Sequence, residues 1–178
     1  MIRVWLPLLT FFFFVFDGTV MQVFSSHWFG ASYQLIPRFA FAMILFIAFF
    51  LNRSTALIYG LIFGLLSDIV YTDLIGVYFF SMAFSAYLMA SFASLFRPRL
   101  IAVFLLGLMG MVLLEFQAYA LYSIIGYTEL PMKPFLYNRL FPSLVLNGVF
   151  IILMYYPVNK VFAAIETARR QESDEVRG

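Results

Sequence analysis

Apolar residues fall in six blocks along this chain, at 4–25, 33–51, 55–71, 74–96, 100–125 and 135–156, with short polar breaks between them. A helix that crosses a bilayer takes about 20 apolar residues. The pattern therefore predicts an all-α polytopic membrane protein with about six transmembrane helices. The breaks are chemically plain. Asn52-Arg53-Ser54, Thr72-Asp73 and Arg97-Pro98-Arg99 put polar or charged groups between apolar runs, and Pro98 also stops a helix. The longest outer connection, 126–134, contains Gly126, Pro131 and Pro134. Block 55–71 is the shortest, about 25 Å as a helix against a hydrocarbon core of about 30 Å, which leaves a re-entrant segment open as an alternative. Block 4–25 exceeds a signal-peptide core, and no small-x-small cleavage pattern follows it, so it is expected to stay on the protein.

The last apolar block gives way to a different pattern. After Pro157, the residues Val158, Val161, Phe162 and Ile165 fall on one helical face. The chain then divides into a transmembrane domain, 1–157, and a cytoplasmic amphipathic helix and tail, 158–178, with 171–178 frayed. Lys160, Arg169 and Arg170 suit anionic headgroups. A surface-lying anchor and a partner-docking helix are both open readings.

Composition sharpens the class. Of 178 residues, 64% are hydrophobic and 11% charged, with a mean hydropathy of +0.96. A soluble domain carries about 25% charged residues, so a soluble catalytic domain is excluded. The net charge is +2 with basic residues scattered, which gives nucleic acid no footprint. Cysteine is absent, removing disulfides, thiolate metal sites and a Cys nucleophile together. The one histidine, His27, falls in an outer loop, and no metalloprotease, acyl-serine or P-loop motif occurs. No catalytic residue, cofactor or metal ligand is therefore assigned. Depth alone would permit an aspartyl dyad of Asp17 and Asp68, and nothing else supports one.

Orientation follows from Lys and Arg, which favour the cytoplasmic side. With the N-terminus inside, Arg3, Arg53, Arg97, Arg99, Lys160, Arg169, Arg170 and Arg177 lie inside, and Arg38, Lys133 and Arg139 outside. Both termini are expected in the cytoplasm.

Three acids fall within the apolar blocks, and a charge at the bilayer centre costs on the order of 3 kcal/mol or more. Asp17 and Asp68 lie 13 residues from the inner ends of their blocks and Glu115 lies 15, so all three sit about 20–22 Å above the cytoplasmic boundary. Arg38, on the second block running the other way, reaches the same level. The expectation is an acid cluster with Arg38 as counter-ion to Asp17 or Asp68. The alternative is that each acid hydrogen-bonds a neighbouring helix, or that Asp68 reaches water. Gly60, Gly64 and Asp68 recur at i, i+4 and i+8, a small-residue stripe that lets another helix approach closely. Gly107, Met111 and Glu115 form a similar stripe, Pro142 is expected to kink the last helix, and Asn147 is a buried amide that needs a partner.

The run Gly60-Leu61-Ile62-Phe63-Gly64-Leu65-Leu66-Ser67-Asp68, followed by Gly76, resembles the G-x-x-x-G-L-x-x-D…G signature of the MreD family, bacterial rod shape-determining membrane proteins. Arg139-Leu140-Phe141-Pro142-Ser143-Leu144-Val145-Leu146-Asn147 is similar to the R-x-x-P…N pattern of that family's last helix. Length, span count and basic tail are also similar over the whole chain, while the first helix offers no distinctive match. The resemblance implies a non-enzymatic scaffold of the elongation machinery in the bacterial cytoplasmic membrane. It implies as partners MreC, MreB filaments, and a RodA-type glycosyltransferase with its penicillin-binding protein. It further implies a fold shared with the substrate-binding subunits of energy-coupling-factor transporters. By motif position it singles out Gly60, Gly64, Asp68, Gly76, Arg139, Pro142 and Asn147; Asp17, Arg38 and Glu115 come from depth alone. The alternative is the binding subunit of a vitamin-uptake-type transporter. Such subunits dock through small residues on the first helix, and here that helix reads Leu8-Leu9-Thr10-Phe11-Phe12-Phe13-Phe14-Val15-Phe16.

Overall fold

The second apolar block forms the centre of the molecule. In a computed structural model that describes residues 2–24, 34–97 and 99–175, with side chains for 6–21, 34–97 and 99–164, helix α2 (Phe39–Phe50) has ten consecutive buried residues, Phe39 to Ala48. A helix buried on every side carries no polar face, and the sequence of α2 has none. Around it stand α1 (Ile2–Phe24), α3 (Arg53–Tyr71), α4 (Val77–Ala93), α5 (Leu100–Ile124) and α7 (Phe141–Glu175), each in contact with α2. Neighbours in the ring touch in turn from α3 to α4, α5 and α7. Phe13 meets the ring of Phe150, and Phe14 that of Phe63, so α1 closes the circle between α7 and α3. All described regular structure is helical. Three helical stretches are long and apolar enough to cross a membrane, Arg53–Tyr71, Leu100–Ile124 and Met132–Ala164; Leu6–Met21, Phe39–Phe50 and Val77–Ala93 are shorter apolar helices.

Three boundaries differ from the sequence reading, each for a local reason. Helix α2 starts at Phe39 rather than 33, and residues 34–38 run as an irregular strap. Pro37 cannot donate a hydrogen bond and biases Ile36 to extended backbone. Helix α4 starts at Val77 because Gly76 turns the chain at φ +116°, a conformation that glycine adopts without strain. The last helix does not stop at Pro157 but runs on to Glu175. Val158 and Phe162 are buried, with Phe162 stacked on Phe50 at 5.0 Å, so this part of the amphipathic stripe packs on the bundle. The side chains of Ile165, Arg169 and Arg170, and residues His27 and Pro98, lie outside the described set.

Before α7 come a short helical turn, α6 (Met132–Pro134), and a π-helical stretch, Phe135–Leu140. Pro142 lacks the N–H that would reach Asn138 O, and that carbonyl instead accepts from Gln34 N at 2.8 Å. The expected disturbance at Pro142 thus takes the form of a π-helical widening, of the kind common at functional sites.

Candidate functional site

The strap at 34–38 leaves backbone groups inside the protein without helix partners, and such groups must be satisfied by side chains. One face of α7 supplies them. Ser143 Oγ accepts from Ile36 N at 3.0 Å. Asn147 Nδ2 donates to Ile36 O at 3.0 Å, and its Oδ1 accepts from Arg38 N at 2.8 Å. Asn147 is 2% exposed, and the strap is the partner its amide requires. Ser143 was missed in the sequence; its spacing of four from Asn147, a polar pair on an apolar helix, is the signal that could have found it.

Asp17 completes the job from α1. Its two oxygens accept from Phe39 N and Ala40 N at 2.8 and 3.0 Å. These are the first amides of α2, which no helix of its own can satisfy. Asp68, fully buried on α3, does the same for α4: its oxygens accept from Gly76, Tyr78 and Phe79 N at 2.8–2.9 Å. Both acids are therefore caps in trans on a neighbouring helix, set against its positive dipole end.

That corrects the expected pairing of Arg38. Its Nε donates to Glu115 Oε1 at 2.9 Å, its Nη2 donates to Tyr78 Oη, and the guanidinium lies 4.4 Å from the Tyr78 ring centroid. Arg139 Nη2 reaches the other oxygen of Glu115 at 3.3 Å. Two arginines thus share one carboxylate, while Asp17 and Asp68 are held by backbone amides. Depth placed the four groups at one level, and the azimuth decided which of them meet. Tyr78, the hinge between Asp68 and Arg38, carries no charge and gave no sequence signal.

The glycine stripe faces inward. A Cβ on Gly60 would stand 2.7 Å from Ala83 Cα, and one on Gly64 would press on Tyr78 O and Phe79 Cα. Gly60 and Gly64 thus hold α3 against α4 of the same chain. The second stripe is also internal: Gly107 faces Ile151 of α7, and Met111 and Glu115 are 2% exposed.

Asp17, the strap, Tyr78 and Arg139 border a cavity of about 320 Å³ at the end of the bundle where α1, α3 and α5 terminate. Asp17 and Gly18 of α1, the strap, Tyr71 to Asp73, Tyr78, Tyr122, Tyr127 and Arg139 line it. At its rim Tyr127 donates to Asp73 Oδ2 at 2.7 Å, and the carboxylate pushes the phenol's pKa above its ordinary value. Among the described residues no cluster of His, Asp or Glu has the makings of a metal site. The arrangement can hold helices in register and offer donors to a ligand.

Comparison with known proteins gives a consistent picture. The family model described as rod shape-determining protein MreD matches residues 2–165. The chain is similar to the rod shape-determining protein MreD of Bacillus subtilis (strain 168), 31% identical over 138 residues, which cover 78% of this chain and 80% of that one. No solved structure matches.

Proposed function

The chain belongs to the MreD family of rod shape-determining membrane proteins, and on that premise we propose that it is a non-enzymatic scaffold of the elongation machinery. It binds an MreC-like single-span protein and helps position lateral peptidoglycan synthesis, beside MreB filaments and a RodA-type glycosyltransferase with its penicillin-binding protein. The observation that carries this reading is the family match through every helix, residues 2–165. The internal bonding supports it: Asp17, Arg38, Asp68, Glu115, Arg139 and Asn147 all tie one element to another, as a rigid platform requires.

In this reading the chain crosses the bacterial cytoplasmic membrane six times with both termini inside, in a fold similar to the binding subunits of energy-coupling-factor transporters. Helix α2 is only about 18 Å long, and the strap before it supplies the rest of this crossing. Gly60, Gly64 and Gly76 fix α3 on α4, and Pro142 frees the carbonyl that anchors the strap. The part beyond Pro157 continues α7 into the cytoplasm. A second reading, a small-molecule-binding subunit of the vitamin-uptake type, is favoured by the cavity. It is disfavoured by α1, whose outer face carries exposed Phe11, Phe12 and Phe16 where close docking needs small residues.

Affinity purification of the tagged full chain from native membranes in mild detergent, with mass spectrometry, separates the two. Recovery of an MreC-like single-span protein is the expected result. Recovery of an energising ATPase pair instead would overturn the scaffold reading.

A further inference from the structure

We propose that the cavity beside the strap is a binding site for the phosphate of a lipid headgroup, with Arg139 and Arg38 as its donors. The argument starts from which hydrogen-bonding groups are already engaged. The carboxylates around the cavity are each engaged. Both oxygens of Asp17 are taken by the α2 amides, Asp73 Oδ2 by the Tyr127 phenol, and both oxygens of Glu115 by the two arginines. The donors are not. Arg139 Nε is buried and has no hydrogen-bond partner, and its one contact with Glu115 is long at 3.3 Å. A guanidinium offers five N–H donors and no acceptor, so two of them against one carboxylate leave N–H donors in surplus. An unpaired buried donor is destabilising, and an occupant that completes the set must be an acceptor.

An oxyanion meets that requirement, since arginine forks match phosphate oxygens. Arg38 and Arg139 come from different elements, and a tetrahedral phosphate can accept from both at once. The remaining wall says what the phosphate is attached to. Phe14, Met21, Leu35 and Tyr71 line the same cavity, and Met21 and Tyr71 are also exposed on the outside of the bundle. Tyr71 closes the end of α3 on α1 by donating to Phe14 O at 2.7 Å, so an apolar chain would leave past the exposed Met21 while its headgroup stays inside. A cavity of about 320 Å³ is within the range of small-molecule sites and large for bare phosphate.

The test is binding of dioctanoyl phosphatidylglycerol to the full chain in a neutral detergent, read by native mass spectrometry and titration calorimetry. Dioctanoylglycerol and inorganic phosphate are the two comparison probes. The phospholipid is expected to bind, and Arg139→Gln to weaken it about tenfold or more, the loss of a charge-assisted hydrogen bond. Lys133→Gln, which removes the same charge away from the cavity, should change nothing. Met21→Trp, which narrows the cavity without touching a charge, should weaken binding as well and covers the case in which Arg139→Gln fails to fold. Equal binding of dioctanoylglycerol, or equal loss in Arg139→Gln and Lys133→Gln, would overturn the site. Inorganic phosphate binding as tightly as the phospholipid would overturn the lipid as its source.

Discussion

A carboxylate inside a helical bundle needs donors, and Asp68 has three backbone amides from the start of α4. Asparagine offers one acceptor oxygen where the carboxylate offers two, and leucine none. Asp68→Asn should therefore lower stability by roughly 1–3 kcal/mol and Asp68→Leu by more, as buried amides lose their acceptor, measured by thermal unfolding in detergent. An unchanged midpoint in Asp68→Leu would remove the capping role. At this scale the sequence was informative about which residues matter and silent about whom they meet. Asp17, Arg38, Asp68 and Glu115 stood out because a charge among apolar residues demands an explanation. Position along a helix gives depth but not direction around the axis, so the arginine was matched to the wrong acid. Tyr78 and Ser143, polar without charge, passed unnoticed.

At the scale of the element, Gly60 and Gly64 bring α3 directly against the backbone of α4. Helices in lipid gain little from the hydrophobic effect and depend on close van der Waals approach. Gly64→Ala would force a methyl against the Tyr78 carbonyl. We expect a loss of about 1–3 kcal/mol from such overpacking, with Gly64→Leu failing to accumulate in the membrane. Ile62→Leu on the exposed face of α3 should be neutral, and a stable, abundant Gly64→Leu would refute the packing assignment. The helices themselves were legible as apolar blocks, and their interiors match. Their ends were less so. The start of α2 depended on what Pro37 does to its neighbours, and the passage of α7 through Pro157 depended on Val158 and Phe162 packing against the bundle, which no local pattern displays.

For the whole molecule, α2 at the centre of a closed ring explains why a helix without one polar residue is also the shortest of the long apolar ones. It is screened by its neighbours, and its N-terminal end is completed by the strap. The six-crossing arrangement with both ends inside can be checked directly, because the chain has no cysteine of its own. A single thiol introduced by Glu129→Cys should react with a membrane-impermeant maleimide on intact cells. One introduced by Arg97→Cys should react only after lysis, and the reverse pattern would invert the topology.

The strap also imposes an order on synthesis. Its bonds to Ser143 and Asn147 join residues 107 to 111 positions apart. Those partners leave the ribosome only after the five long helices α1 to α5 have been made. Until then Ile36 N, Ile36 O and Arg38 N lack the partners they have in the folded chain. A chain truncated before α7 is therefore expected to be degraded faster than the full chain, which a pulse-chase in growing cells would measure.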